Sequence, residues 1–168
     1  MYGLTPEQQE LARYIAVLRG YPIFEGIPAA EIALLVEAVA VDQRKEGTVI
    51  VQQGAVEERF YLIARGDVTV IAQDGMQREH HIASLARGDC FGEVSLLFDT
   101  PRTATVRAAS DTVLLVLHRE RFYEVLAQTP ALKDRLETIA RSRADQTFAA
   151  RTAAGDVSGP AVPAPAHA

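Results

Sequence analysis

The sequence predicts an α+β fold in which an antiparallel β-roll, jelly-roll-like in its closure, is flanked by helices at both ends. Three observations predict it. Apolar residues recur with helical spacing before residue 40 and after residue 119. Between them, six short β-rich runs follow one another, at 48–52, 59–64, 67–72, 77–84, 103–108 and 112–118. Glycine-bearing breaks separate these runs, at Gly54, Gly66-Asp67, Asp74-Gly75 and Gly88-Asp89. Helices, then strands, then helices is the segregated order of an α+β chain. The expectation is a single domain over 1–150, with helices over 5–40, the roll over 47–118 and helices over 119–148.

The first helix has Thr5 as an N-cap, Pro6 at its first position and Gln8 completing a capping-box pattern. Leu11, Tyr14, Ile15 and Leu18 form its apolar stripe, and Gly20 and Pro22 stop it. A second helix follows Pro28, with Ile32, Leu35, Val36 and Val39 on one face. Within the strand region, Asp74-Gly75 between two β-rich runs signals a hairpin. Helical spacing returns at Phe122, Val125 and Leu126, and again at Leu132, Leu136 and Ile139, with the last helix running towards Phe148. Residues 151–168 are rich in proline and alanine and are expected to form a disordered tail.

Composition narrows the function. The chain has 168 residues, is 48% hydrophobic and carries a net charge of -5. An acidic chain lacks the basic face that broad binding to nucleic acid requires. The single cysteine, Cys90, rules out an intrachain disulfide framework, and a reducing cytoplasm is the expected location. The longest apolar runs, such as residues 113–117, are far short of the roughly 20 residues that cross a bilayer. Adjacent His80 and His81 point to opposite faces of a strand, so together with Glu79 and His118 they make a poor metal site. No set of side chains suited to nucleophilic or paired-carboxylate catalysis emerges, and the chain is expected not to be an enzyme.

The roll is interrupted by Phe91-Gly92-Glu93-Val94-Ser95, and, after a short loop, by Pro101-Arg102-Thr103-Ala104-Thr105-Val106. This pair of motifs resembles the phosphate-binding cassette of cyclic-nucleotide-binding domains, the family of catabolite activators, protein kinase A regulatory subunits and cyclic-nucleotide-gated channels. Phe24-Glu25-Gly26-Ile27 and the stretch from Tyr61 to Val70 extend the likeness, which covers roughly 22–140. The resemblance implies a sensor whose ligand is cAMP or cGMP, with no metal. The residues after 141 are too few and too rich in proline and alanine for the helix-turn-helix of the catabolite activators, so a stand-alone member acting on a separate effector protein, or through a homodimer, is expected.

The chemistry of the residues fits that implication. Arg102 is always charged and can give two parallel hydrogen bonds to a phosphate. Residues 92–98 suit one short helix whose free N–H groups, around Val94 and Ser95, would point at the same anion. Glu93 would repel a phosphate, but can accept from a ribose 2′-hydroxyl. Gly92 would let the backbone approach the ligand, and Thr103, beside Ala104, could donate to the phosphate or to the base. In the family a threonine at the place of Thr103 often accompanies cGMP, and an alanine often accompanies cAMP alone; cAMP is favoured here only as the commoner bacterial ligand. Val70 and Leu85 match places where relatives line the base pocket, although core packing explains them equally. Phe91, Val94, Leu96, Leu97 and Val106 suit the core. Arg143 stands where an arginine caps the base in some channel-type relatives; a solvated helical charge is the alternative. Three further functions remain: an interaction domain that kept the fold without the ligand, a cupin-like metalloenzyme, and a DNA-binding regulator.

Overall fold

The computed structural model describes Gly3 and residues 5–153. The predicted tail from 154 onwards lies outside the described residues, as do the side chains of Gln8 and Leu11, on which part of the α1 prediction rested. Helix α1 (Pro6–Arg19) and a short 3-10 helix (Pro22–Phe24) lead into α2 (Ala29–Ala38). Eight strands follow: β1 (Ala40–Arg44), β2 (Val49–Val51), β3 (Arg59–Arg65), β4 (Asp67–Gln73), β5 (Glu79–Ala86), β6 (Cys90–Phe91), β7 (Thr105–Ala108) and β8 (Thr112–His118). Helix α3 (Glu93–Phe98) interrupts them, and α4 (Arg119–Gln128) and α5 (Pro130–Ala153) close the chain.

The strands form two four-stranded sheets, β1-β8-β3-β6 and β2-β7-β4-β5, with every pairing antiparallel. Because β1 and β2, and again β7 and β8, lie in opposite sheets, the chain winds around the barrel as a jelly roll does. The fold is therefore the α+β roll that the sequence predicts.

Three boundaries differ from the prediction. The roll begins at Ala40, not at 47, because residues 40–44 pair along β8 from Ala40↔Val116 to Arg44↔Thr112. That strand carries Asp42, Gln43 and Arg44 and has a mostly exposed face, so it gives no apolar signal. Val39, read as the end of the second helix, is its extended C-cap. The last helix continues to Ala153, through three residues that were assigned to the tail. The two-residue β6 also escaped the sequence, since two residues carry no period; pairing with Tyr61 and Leu62 defines it.

The apolar runs in β3 and β8 reflect burial on two sides. Tyr61 and Ile63 of β3, with Leu114 and Val116 of β8, point into the roll beside Val68, Phe91 and Val106. Phe60 and Leu62, with Leu115 and Leu117, point outwards into a second core made with α1, α2, α4 and α5. Alternate residues thus serve different cores, and the strand reads as a continuous apolar run rather than as apolar–polar alternation. Aromatic contacts mark both cores: Tyr61 stacks on Phe91 at 4.7 Å inside the roll, and Phe60 meets Phe122 of α4 at 5.0 Å outside it.

The Asp74-Gly75 signal does mark a hairpin, between β4 and β5. Its positive φ falls on Gln77 rather than on Gly75, and the turn is closed by the Asp74 carboxylate. Oδ1 accepts from the N–H of Met76 at 2.8 Å and of Arg78 at 3.0 Å, while Oδ2 meets Arg78 Nε and His80 Nε2, each at 2.9 Å. The His80 contact first, and then the backbone donors and Arg78, outweigh burial and hold the Asp74 carboxyl far below the usual carboxylate range. A carboxyl depressed on folding stabilises the fold above its unfolded pKa, about 3.9, and loses that contribution as the pH falls. Asp74→Ala is accordingly expected to lower the unfolding temperature at pH 7, with the gap to the unsubstituted chain narrowing below about pH 4. Thermal unfolding followed across pH 3–7 checks this.

Candidate functional site

Strand β6 ends at Gly92, whose φ of 91° turns the chain into α3. All six residues of this helix are buried, and it ends at Asp99, also left-handed. Gly92 has a second reason to be glycine. A Cβ there would stand 2.7 Å from Arg59 O and 2.8 Å from Arg102 Nη1. The close approach expected towards a ligand is thus first an approach to the protein's own arginine.

Arg102 is fixed at both ends. Its N–H donates to Ala55 O at 2.9 Å, and its carbonyl accepts from Gly54 N–H at 2.8 Å. Its guanidinium Nη1 donates to Gly92 O at 2.9 Å and to Ser95 Oγ at 2.7 Å, and Nη2 donates to Arg59 O at 2.7 Å. Nε is buried without a partner. The residue is 4% exposed, and the Glu57 carboxylate stands 4.0 Å from Nη2. Burial therefore lowers the Arg102 pKa, although Tyr61, Glu57 and Glu93 oppose the shift. A charge held by neutral oxygens and one loose carboxylate is poorly compensated, and an anion brought to Nε would complete it.

Glu93, 1% exposed, lies beside it. Its Oε1 accepts from Arg143 Nη1 of α5 at 2.7 Å, while Oε2 is buried without a partner. Arg143 Nη1 also donates to Cys90 O. Burial works against the Arg143 charge, but Glu93 and the Cys90 thiol outweigh it and the pKa is raised. Arg143 is thus an ion-paired side chain on the roll, not a solvated helical charge.

These side chains line one cavity of about 180 Å³. Gly92, Glu93, Val94, Ser95, Arg102, Thr103 and Ala104 are among its lining residues. Val70 and Leu85 also line it, and both pack against the roll core. Phe91, Val94 and Val106 are likewise core residues that reach the cavity. The sequence reading missed Val51, Ile82, Ala83, Gln146 and Thr147. The two α5 residues had one available signal, since Arg143, Gln146 and Thr147 are spaced i, i+3, i+4 and share a helix face.

The histidines lie elsewhere. His80 meets Asp74, and His81 lies 3.0 Å from Ser84 Oγ. Among the described residues no three His, Cys, Asp or Glu side chains are grouped to hold a metal ion, and no helix is long and apolar enough to cross a membrane. Cys90 is buried, and desolvation pushes its thiol pKa far up, away from a reactive thiolate.

A jelly roll with a buried arginine and glutamate on one cavity defines a ligand-binding module. Comparison with known proteins gives it a family: residues 42–129 match the cyclic nucleotide-binding domain, and the chain belongs to that family. It is 35% identical over 113 residues to a cAMP-dependent protein kinase regulatory subunit of Blastocladiella emersonii, covering 67% of this chain and 28% of that one. It is 32% identical over 129 residues to a cGMP-dependent protein kinase of Drosophila melanogaster, covering 75% of this chain and 14% of the kinase. The solved regulatory domain of Toxoplasma gondii PKA with cAMP superposes with a TM-score of 0.73 at 25% identity, covering 81% of this chain and 52% of that one. The chain therefore spans well under two thirds of each of these relatives.

Gly92→Ala tests how closely the cassette is fitted. The added methyl meets both a backbone carbonyl and the Arg102 guanidinium, in a conformation that L side chains rarely adopt. The expected outcome is a destabilisation of about 1–3 kcal/mol in denaturant unfolding, from backbone strain alone.

Proposed function

We propose that this chain is a sensor of cAMP or cGMP, a regulatory binding module with no catalytic step of its own. One observation carries the reading. Arg102 Nε, a donor, and Glu93 Oε2, an acceptor, are both buried without partners, on side chains that line the same cavity. A cyclic nucleotide supplies what each lacks: an anionic oxygen for the donor and, one ribose away, a 2′-hydroxyl for the acceptor.

In this reading the cyclic phosphate binds Arg102 together with the N–H groups of Val94 and Ser95 in the first turn of α3, which have no partner within the helix. Ser95 Oγ keeps the guanidinium turned towards it. Glu93 accepts from the ribose, with Arg143 holding the carboxylate in place. Val70 and Leu85 face the base. Thr103 donates to the phosphate or to the base.

The cavity is smaller than the roughly 300–1,000 Å³ of ordinary ligand sites. Helix α5 closes it through Arg143, Gln146 and Thr147, so α5 must withdraw to admit a nucleotide and can then settle over it. A ligand shifts such an equilibrium by its differential affinity for the two positions. The Arg143–Glu93 pair is the contact through which the ribose would be felt by α5. The moving helix then signals to a separate effector protein or to a second copy of the chain, in the cytoplasm.

Calorimetric titration with cAMP and cGMP tests the proposal, and binding of neither below about millimolar overturns it. Arg102→Ala is expected to cost about 2–5 kcal/mol of binding. Because Arg102 also ties Gly92, Ser95 and Arg59 together, Arg102→Lys is the companion variant. It keeps the charge but loses the two-pronged contact, and is expected to fall between the two.

A further inference from the structure

We infer that the chain has a second ligand cavity, between α5 and the 3-10 helix, which takes a small amphipathic carboxylate and whose occupancy opposes the nucleotide. The cavity stands on geometry alone; the opposition rests on the function proposed above.

Arg143 lines two cavities. One is the cavity it shares with Arg102 and Glu93. The other, of about 430 Å³, is bounded by α5, the 3-10 helix and the turn into β6. That volume falls within the roughly 300–1,000 Å³ of ordinary ligand sites. Helix α5 brings Arg135, Ile139 and Arg143 to it, spaced i, i+4, i+8 and so on one face. The two arginines stand about 12 Å apart along the helix axis. The uncharged lining is mainly apolar, with Pro22 and Ile23 of the 3-10 helix, Cys90 of β6, and Ile139.

Four charged side chains line this cavity, and three of them are already satisfied. Arg143 is paired with Glu93. The Asp89 carboxylate accepts from the Ala86 N–H at 3.0 Å and closes its own turn. Asp134 is exposed to water. Arg135 differs from these. It is half-buried, its Nη1 donates to the Ile23 carbonyl at 2.9 Å, and among the described residues no carboxylate pairs with it. A cation partly withdrawn from water and held only by a neutral oxygen is completed by an anion. The apolar lining beside it gains by covering an apolar chain. A carboxylate on a short aliphatic chain satisfies both.

Such a ligand joins α5 to the 3-10 helix and to β6. It thereby holds α5 where Gln146 and Thr147 close the nucleotide cavity. A nucleotide that needs α5 withdrawn is opposed, and the nucleotide weakens the carboxylate by the same factor in return.

Octanoate is the probe. Octanol and octylammonium are its companions, the same body without charge and with the opposite charge. Amide NMR shifts of the whole chain locate the binding. Octanoate is expected to move the amides of Ile23, Gly88, Cys90 and Ile139, with a dissociation constant of about a millimolar or below. It is expected to bind about fivefold more tightly than octanol or octylammonium. Arg135→Gln, which keeps an N–H for the Ile23 carbonyl, is expected to abolish that preference, and Arg135→Lys to keep it. Thr138→Trp places a bulky ring at an exposed position on the cavity lining and is expected to abolish octanoate binding with the fold kept. Saturating octanoate is expected to weaken cAMP or cGMP about fivefold or more, and Thr138→Trp to cancel that effect. No binding, shifts confined to the nucleotide cavity, or a preference for octylammonium overturns the inference. Octanoate that binds as expected without weakening the cyclic nucleotide overturns the opposition. If neither cyclic nucleotide binds, the sensor function and the opposition fall together, while the octanoate shifts still decide the cavity.

Discussion

A guanidinium cannot lose its charge within the working range of a protein, so one sealed inside a β-roll imposes conditions on everything around it. Arg102 is such a group. Its oxygen partners come from three separate places: Gly92 at the turn into α3, Ser95 within α3, and Arg59 at the start of β3. Gly92 must lack a side chain because that guanidinium fills the space. The loop before β3 is held to the Arg102 backbone through Gly54 and Ala55. The cassette is thus a cage of neutral oxygens built around one cation, with Nε left without a partner.

The same cage is tied to the helices that would report on it. Tyr123 of α4 donates to Leu96 O of α3. Arg119, the first residue of α4, contacts Asp99 at 3.2 Å and Glu58 at 3.4 Å, joining the end of α3 to the loop before β3. Arg141 of α5 lies over the Phe98 ring at 5.8 Å, and Arg143 reaches Glu93. Beside these polar contacts, Val94, Leu97 and Phe98 of α3 share one apolar core with Leu136, Ala140 and Ala144 of α5.

Legibility followed the length over which a signal repeats. Strand β8 is legible at its observed bounds because its seven residues hold five consecutive apolar ones, Val113 to Leu117. Strand β1 was missed because its register with β8, and not its own composition, makes it a strand. At the site, Gly92, Glu93, Ser95 and Arg102 were legible because they sit within eleven consecutive positions of a patterned segment. Gln146 and Thr147 were not, because a helix face more than forty residues downstream becomes a cavity wall only once α5 has folded back over β4 and β5.

By itself the sequence determined the class of the fold, the identity of the charged groups and the spacing that puts a cation and a carboxylate near one short helix. Those are properties of periodicity and residue chemistry, which are local. Tertiary structure decided which polar atoms keep partners and which do not. It left Arg102 Nε and Glu93 Oε2 unmet while giving Glu93 Oε1 to Arg143. That choice depends on how α3, β3 and α5 meet in space, because a hydrogen bond is made or lost over a few tenths of an ångström, a precision that no linear spacing encodes.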